Sequence, residues 1–427
     1  MPRRAGPDAC PGALRVHEAA DGGLARVRVP GGRLAARQVR ALATAAALGD
    51  GGWELTSRAN IQVRGLSAAA VPEFAELLGA AGLLPSPTHE RVRNVVASPR
   101  TRPGALDVRA VAVALDEGLR ADPELAELPG RFLFTADDGG GEVTALGADV
   151  ALHPADGAVA VLLAGADLGL RVSAADAARA AVLAAAAFLA ERGRLGAESW
   201  RLAELPGGAE RIADRIRAEF SCMAAETAVA PGDPVRTHAE LGVLARADDR
   251  VDLALGAPLG RLDAGQIAVL ATQTEEIAGQ AEGSAEQAED SAAQAEGSAA
   301  QTAAPHPLRL TPWRALLLTD VPADEAPRRL AELDAAGFLT DPGAPLAGVT
   351  ACAGSPGCAK SLADVRADAR RTTRPGPLPV HWAGCARRCG RPAGPGVEVL
   401  ATEAGYEVGG HPAGETSAAL DAARRAV

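Results

Sequence analysis

Alternating apolar and polar stretches recur twice along the chain, and each is followed by a stretch with helical spacing. Residues 25–29 and 251–255 alternate as half-buried strands do. The blocks that follow, 31–44 and 259–272, share eight identities at an offset of 228 residues, and their apolar positions recur with helical spacing. The pattern predicts an internal duplication in which each copy begins with a strand and a helix.

The duplication continues through a second strand and a second helix. Leu55-Thr56 and Leu310-Thr311 each precede a further apolar stretch, and the predicted helices then end at Ala81-Gly82 and Ala336-Gly337. The offset is now 255 residues, so 27 residues have been inserted into the second copy. Each copy is therefore predicted to be a β-α-β-α unit, the ferredoxin-like form of α+β module.

The inserted length falls within residues 273–305, a polar, acidic stretch of low complexity. It contains seven acidic residues and no basic or aromatic residue, so it supplies most of the chain's net charge of −11. Such a composition cannot bury enough apolar surface to fold by itself. We expect a disordered surface loop here; an acidic docking segment for a redox partner is the alternative.

Two further regions complete the chain, one between the copies and one after the second copy. The region between them contains predicted strands, one of them at 131–136, and a predicted helix at 174–192. We therefore predict four domains: a ferredoxin-like half-domain at 22–90, an α/β domain at 91–230, a second half-domain at 231–345 that includes the insertion, and a cysteine-containing domain at 346–427.

Composition excludes several classes of protein. An acidic chain with a sequence pI near 5.3 lacks the basic field that nucleic-acid binding requires. No apolar run follows the basic residues at the start of the sequence, and the alanine-rich stretches are interrupted by charges, so we expect neither an export signal nor a membrane span. We therefore expect a cytoplasmic protein, in which cysteines are more often ligands or inert thiols than disulfides.

Four of the six cysteines lie in two close pairs with the pattern C-x5-C-x26-C-x3-C, at Cys352, Cys358, Cys385 and Cys389. A [4Fe–4S] cluster needs four thiolates that converge on one small volume, and two pairs on two glycine-rich loops can supply them. The spacing favours a cluster. A structural zinc site remains open, because the second pair also has a spacing typical of zinc ligands.

The cysteine pattern with its Thr350-Ala-Cys352 opening and the two ferredoxin-like copies resemble the siroheme-type sulfite and nitrite reductase family. Segments 54–65, 92–99 and 128–132 are similar to motifs of that family and occur in its order. The resemblance implies an internally duplicated α+β fold with two ferredoxin-like half-domains and two α/β sulfite-reductase-like haemoprotein domains in a pseudo-twofold arrangement. It also implies that the four cysteines bind a [4Fe–4S] cluster.

Three features make the chain similar to one branch of the family, which acts on a free tetrapyrrole, precorrin-3A, in aerobic cobalamin synthesis. These are the length, the loop at 385–392, and the replacement of the family's lysine pair by Arg131 and Leu133. The resemblance implies an oxygen-dependent monooxygenase that hydroxylates C20 and closes a γ-lactone. Its electron donor would be a ferredoxin, a flavoprotein or an NADH-linked reductase.

A mononuclear non-haem iron is a further candidate cofactor for such chemistry. It would need histidine or carboxylate ligands, and the seven histidines are scattered singly along the chain. We assign no ligand to this iron.

Candidate substrate contacts follow from the same resemblance. Precorrin-3A carries many carboxylate arms, and arginine binds carboxylates bidentately. Arg58, Arg93 and Arg131 match family positions near the macrocycle. Asn60 and Gln62 alternate with Arg58, so these three side chains are predicted to share one face of a strand. We predict that all five bind substrate; an ordinary ion-paired or solvated role is the alternative for each arginine.

Two other functions remain open. The first is a siroheme-dependent sulfite or nitrite reductase, in which Cys389 would also bridge to the haem iron. The second is a zinc-stabilised binding protein without redox chemistry. No catalytic residue is assigned from the sequence.

Overall fold

The computed structural model describes residues 10–100, 102, 106–230, 240–246, 248–292, 306–392 and 394–425, with the side chains of 282–292 left out. The strands of the first half are β1 (His17–Ala19), β2 (Gly22–Val27), β3 (Arg33–Leu34), β4 (Trp53–Leu55), β5 (Ile61–Leu66), β6 (Val95–Ala97), β7 (Phe134–Ala136), β8 (Val150–Ala155), β9 (Ala158–Leu163) and β10 (Ala166–Val172). Its helices are α1 (Ala36–Ala46), α2 (Val71–Ala80), α3 (Val108–Ala121), α4 (Ala177–Arg194) and α5 (Gly208–Glu219).

The second half has the same mixture of elements. Its strands are β11 (Gly242–Ala245), β12 (Arg250–Gly256), β13 (Arg261–Leu262), β14 (Leu308–Leu310), β15 (Ala315–Pro322), β16 (Val349–Ala351), β17 (Val380–Ala383), β18 (Val397–Thr402), β19 (Gly405–Val408) and β20 (His411–Pro412). Its helices are α6 (Ala264–Ala292), α7 (Ala326–Ala335), α8 (Val365–Thr372) and α9 (Thr416–Arg425).

The two ferredoxin-like copies exchange a strand. The sheet of the first copy has the order β1-β2-β5-β4-β13, and the sheet of the second has the equivalent order β11-β12-β15-β14-β3. Strand β13 of the second copy therefore pairs with β4 of the first, while β3 of the first copy pairs with β14 of the second. The exchange is reciprocal, as expected if a pseudo-twofold axis relates the two copies.

Two further sheets repeat a second topology. In the order β6-β7-β8-β9-β10, the first two pairings are parallel and the last two are antiparallel. The order β16-β17-β18-β19-β20 has the same sequence of parallel and antiparallel pairings. The predicted α+β class and the internal duplication are confirmed, and the duplication extends beyond the ferredoxin-like copies. The four domain boundaries stay a proposal.

One hydrophobic core runs through both ferredoxin-like copies. Apolar residues recur with helical spacing in α1, so Val39, Leu42 and Ala46 face the sheets and are buried. The same core contains Leu34 of β3 and Leu262 of β13. Each exchanged strand therefore places a leucine in a core that both copies share.

Replacing Leu34 by alanine is expected to lower the free energy of unfolding by about 2–5 kcal/mol, because a fully buried leucine leaves a cavity when it is truncated. Urea denaturation followed by circular dichroism measures this. The matched control is Leu14→Ala, whose side chain is 40% exposed, with an expected change within about 0.5 kcal/mol. Equal effects of the two substitutions would contradict the assignment of Leu34 to the shared core.

Several local predictions need correction. The strand expected from residue 131 begins only at Phe134, where β7 starts. Each copy contains additional strands around the predicted β-α-β-α order, including β1 and β4 in the first copy. Arg58 does not lie on a strand with Asn60 and Gln62, because β5 begins at Ile61 and Ala59 has a φ of 52° in the turn before it.

The prediction of a disordered loop at 273–305 is wrong for its first part. Helix α6 continues to Ala292, since alanine, glutamine and glutamate all favour helix. The face of α6 that packs against α7 is buried. Gln273 on this face accepts a hydrogen bond of 2.6 Å from Arg329 of α7, and Ile277 packs into the core. The remainder of the predicted loop, 293–305, lies outside the described residues.

Among the residues that the structure describes, none of the helices combines the length and the apolar character that crossing a membrane would require.

Candidate functional site

The two cysteine loops lie side by side at one edge of a sheet. Strands β16 and β17 are adjacent and parallel, and a cysteine follows each of them closely. Because the carboxyl ends of parallel strands meet at the same edge, the two loops converge. The Gly384 N–H donates to Cys352 Sγ at 3.2 Å, and the Leu362 N–H donates to the Gly384 carbonyl at 2.8 Å. Backbone hydrogen bonds therefore join the first loop to the second.

The four predicted ligands are close enough to interact electrostatically. Burial raises the pKa of the Cys389 thiol; Arg387 opposes this shift, and Cys352, Cys385 and Cys358 reinforce it. Within the described ranges, no group of three or more His, Cys, Asp or Glu side chains is arranged to hold a metal ion. A cubane makes a different demand, since its four thiolates surround a whole cluster. Four neighbouring thiols and a backbone N–H directed at one sulfur fit that group.

A cavity of about 520 Å³ adjoins the second cysteine loop. Arg391 and Pro392, which lie two and three residues after Cys389, form part of its wall. The turns at 57–58 and 312–314 form another part, and the internal duplication makes these two turns equivalent. The pseudo-twofold arrangement thus brings matching turns of both copies to one cavity.

Four arginines line this cavity: Arg58, Arg201, Arg314 and Arg391. Burial lowers the pKa of Arg58 to about 10, with a further contribution from Arg201, and burial also lowers the pKa of Arg314 to about 10. Arg201 is paired with Asp149 at 2.7 Å. In the described part of the chain, neither Arg58 nor Arg314 has a carboxylate within ion-pairing distance. Partly buried cations without a counter-charge favour the binding of an anion.

The backbone contacts of these arginines tie the cavity to its surroundings. Arg58 donates to the Gly130 carbonyl at 3.3 Å, and Arg314 donates to the Gly390 carbonyl in the second cysteine loop. Arg314 therefore contacts both the cavity and the segment next to Cys389. The sequence offered a signal for it, because the turn that contains Arg314 repeats the turn that contains Arg58.

His381 lies between the cavity wall and the second cysteine loop. Its Nδ1 is 2.9 Å from Thr350 Oγ1, and Thr350 lines the cavity. Burial lowers the pKa of His381 to about 3, and Arg314 lowers it further. The imidazole is therefore neutral at physiological pH and acts here as a hydrogen-bonding group.

Arg28 is a deeply buried cation that the sequence analysis missed. It is 2% exposed, and neither Nη atom has a hydrogen-bond partner in the described residues, although Nε donates to the Arg91 carbonyl at 3.3 Å. Burial lowers its pKa well below the usual value, and Arg26 and Arg58 contribute. A signal was present, because Arg26 and Arg28 alternate with valines in the stretch 25–29 that was predicted to be a strand.

Of the five predicted substrate residues, Arg58 alone lines the cavity. The Asn60 carboxamide accepts from the Val29 N–H at 2.9 Å and donates to Asn94 at 3.3 Å. Gln62 accepts from Arg26 at 2.9 Å and donates to Glu54 at 3.1 Å. Both amides are thus committed to partners within the protein.

The other two predicted arginines also have partners of their own. Arg93 is buried and forms a bidentate ion pair with Asp116, at 2.6 and 3.0 Å. Arg131 is exposed and stacks over Trp200, 5.2 Å from the ring centroid. Leu133 occupies the second position of the lysine pair that Arg131 and Leu133 replace. It lines the cavity and presents an apolar surface to it.

Comparisons with known proteins show which proteins this chain resembles. Residues 17–81, which span the first ferredoxin-like copy, match the family model of the nitrite/sulfite reductase ferredoxin-like half domain. The structure of Mycobacterium tuberculosis NirA has a similar fold, with a TM-score of 0.66 and 19% identity over 90% of this chain and 73% of that chain. The predicted resemblance to nitrite and sulfite reductases is therefore confirmed.

Two curated relatives refine this resemblance. A precorrin-3B synthase from Sinorhizobium is 27% identical over 408 residues, which cover 93% of this chain and 81% of the relative. A ferredoxin–nitrite reductase from Synechococcus elongatus is 28% identical over 409 residues, which cover 86% of this chain and 74% of the relative. Both relatives align along most of the chain, so sequence identity alone does not separate the two activities.

Proposed function

We propose that this chain is an oxygen-dependent oxidoreductase that converts precorrin-3A to precorrin-3B by hydroxylating C20 and closing a γ-lactone. The observation that carries the proposal is the arginine-lined cavity beside the second cysteine loop. A tetrapyrrole with several carboxylate arms offers the anions that Arg58 and Arg314 lack. The volume of the cavity lies within the range of about 300–1,000 Å³ that is usual for small-molecule sites.

The side chains of the cavity have separable tasks in this proposal. Arg58 and Arg314 approach it from opposite copies, so they would hold different carboxylate arms and fix the orientation of the macrocycle. Leu133 gives an apolar contact where a cation would favour a small inorganic anion. Gly390 accepts from Arg314, which links substrate orientation to the cysteine loop.

A [4Fe–4S] cluster would be bound by Cys352, Cys358, Cys385 and Cys389. When bound, such a cluster supplies single electrons at low potential. We propose an external donor, a ferredoxin, flavoprotein or NADH-linked reductase, and O2 as co-substrate. A mononuclear non-haem iron remains part of the proposal without assigned ligands.

A siroheme-dependent nitrite or sulfite reductase is the second candidate. The nitrite reductase relative supports it, as does the position of the cavity next to Cys389. The absorption spectrum of the anaerobically purified protein separates the candidates. Siroheme gives strong Soret and red bands, whereas a cluster alone gives one broad absorption. Zinc without acid-labile sulfide would instead support a non-redox zinc protein.

Incubating the reconstituted protein with precorrin-3A, O2 and a reductant is expected to yield a hydroxylated γ-lactone, detected by mass spectrometry. Labelling with ¹⁸O2 should place one labelled oxygen in the product, because a monooxygenase transfers one atom of O2. Omitting O2 is the control and should abolish the product. Reduction of nitrite or sulfite at an appreciable rate, with no lactone, would overturn the proposal in favour of the second candidate.

A further inference from the structure

A buried carboxylate lies between the first ferredoxin-like sheet and the first cysteine loop. Glu54 is on β4 and is 8% exposed. It accepts a hydrogen bond of 2.5 Å from Arg366 of α8 and one of 3.1 Å from Gln62. Arg64 and Arg261 lie 3.9 and 3.8 Å from its oxygens. Three cations from three different parts of the chain therefore surround one carboxylate.

Two of these arginines also donate hydrogen bonds to the first cysteine loop. Arg366 Nε donates to the Cys352 carbonyl at 3.1 Å, and Arg64 Nη2 donates to the Gly357 carbonyl at 2.6 Å. One contact is on the first cysteine and the other is next to Cys358. The loop is thus held near both of its ligands by arginines that meet at Glu54.

Close packing supports the same contact. Asp21 forms a bidentate ion pair with Arg64, at 2.8 and 2.9 Å, and fixes its guanidinium from the other side. A Cβ added at Gly357 would come within 2.9 Å of an Asp21 oxygen. The first cysteine loop therefore approaches the sheet through a residue that has no side chain.

Glu54 is needed to keep these cations together. Burial raises the pKa of its carboxyl, but Arg366, Arg64 and Arg261 outweigh that effect, and the pKa is lowered overall. Glu54 is consequently ionised at neutral pH. Without its charge, Arg64, Arg261 and Arg366 would repel one another across the interface.

The internal duplication provides a comparison within the molecule. The residue equivalent to Glu54 is Arg309, which lies opposite Arg33 on the neighbouring strand. Glu54 lies opposite Arg261, the equivalent of Arg33. The Arg309 side chain donates to Pro99, in the loop that follows β6. The carboxylate is therefore present only in the copy that packs against the cysteine loops, while its equivalent in the other copy is an arginine.

We propose that Glu54 is a positioning residue that, through Arg366 and Arg64, holds the first cysteine loop in the conformation that binds the cluster. The inference rests on the proposed cluster site, but the loop itself can be tested with and without iron. Among the described residues, Glu54 and its three arginines form no hydrogen bond or ion pair with residues 385–389, and the hydrogen bonds that join the two loops run through Gly384 before them. Residues 385–389 therefore serve as an internal reference.

The test compares full-length wild type with Glu54→Gln and Arg366→Met by hydrogen exchange and mass spectrometry. The matched control is Asp167→Asn, which disturbs a similar buried ion pair, with Arg171, on a different sheet. In the iron-free protein we expect exchange at residues 352–358 to rise about fivefold or more in both variants. Exchange at residues 385–389 should change less than about twofold, and Asp167→Asn should leave both loops unchanged.

The second readout is iron loss from the reconstituted protein in the presence of a chelator. It should be about tenfold faster in Glu54→Gln than in wild type, because one side of the cluster site opens more often. Unchanged exchange in the first loop, or an equal rise in both loops, would overturn the inference. If Glu54→Gln does not fold, Arg366→Met decides the matter, since it leaves Glu54 paired with Arg64 and Arg261. A wild type without iron and sulfide would refute the cluster site, while the exchange data would still test the loop contact.

Discussion

Replacing Cys389 by serine is expected to abolish formation of an intact [4Fe–4S] cluster. A serine hydroxyl is a poor substitute for a thiolate at iron, and the structure offers no fifth cysteine near the two loops among the described residues. The wild type should contain about four irons and four sulfides per chain after anaerobic reconstitution. The variant should lose most of both, together with the broad visible absorption and any product formation.

The chain supplies its own controls for this experiment. Cys10 and Cys222 lie apart from the cysteine loops, so Cys222→Ser and Cys10→Ser should retain full iron and sulfide. Thermal unfolding of all three iron-free variants should be similar, since none of these side chains is fully buried. A cluster that persists in Cys389→Ser and is lost in Cys222→Ser would contradict the assignment.

Replacing Arg58 by methionine is expected to lower kcat/KM for the tetrapyrrole by about 100-fold. A hydrogen-bonded pair of opposite charges contributes about 1.5–3 kcal/mol, and about 1.4 kcal/mol corresponds to a factor of ten. The loss should come mainly from KM, because the arginine would bind the substrate carboxylate before and during the reaction. Steady-state kinetics and a binding titration under anaerobic conditions measure the two contributions.

Arg131→Met is the matched control, because the same sequence motifs nominated both arginines. Arg131 is exposed and stacks on Trp200, away from the cavity. Its replacement should change kcat/KM by less than about threefold, in keeping with an exposed cation–π contact of about 0.5–1 kcal/mol. If Arg131→Met is as damaging as Arg58→Met, the cavity is not the substrate site.

The duplication was predictable because its identities recur at one offset, 228 residues, before the insertion and at another, 255 residues, after it. The cysteine pairs were predictable because the spacing of ligands can be read directly from the sequence. The exchange of β3 and β13 was not predictable in the same way. Each strand is two residues long, so it has no periodicity of its own, and its pairing partner lies in the other copy. Such pairing is decided by the shared core and not by local sequence.

The residues predicted to bind substrate show the limit of an argument from motif position. Arg93 matches a family position, but its role here depends on Asp116, which lies 23 residues away on α3 and neutralises it. Arg58 differs because a turn with positive φ at Ala59 sets it apart from the strand and directs it to the cavity. Partners that neutralise a charge are a property of packing, and the sequence does not display them.

The exchanged strands have a consequence for how this chain can be divided. Separating its two halves would leave each ferredoxin-like sheet without its edge strand and would expose the edges of β4 and β14 as hydrogen-bonding surfaces. Two such fragments, produced together, should recombine by mutual strand donation, whereas either produced alone should aggregate. The same interlocking is what the fusion of a strand-swapped homodimer would leave behind. Divergence after such a fusion would have left the cysteine loops in one half and Arg64, which donates to the first of these loops, in the other.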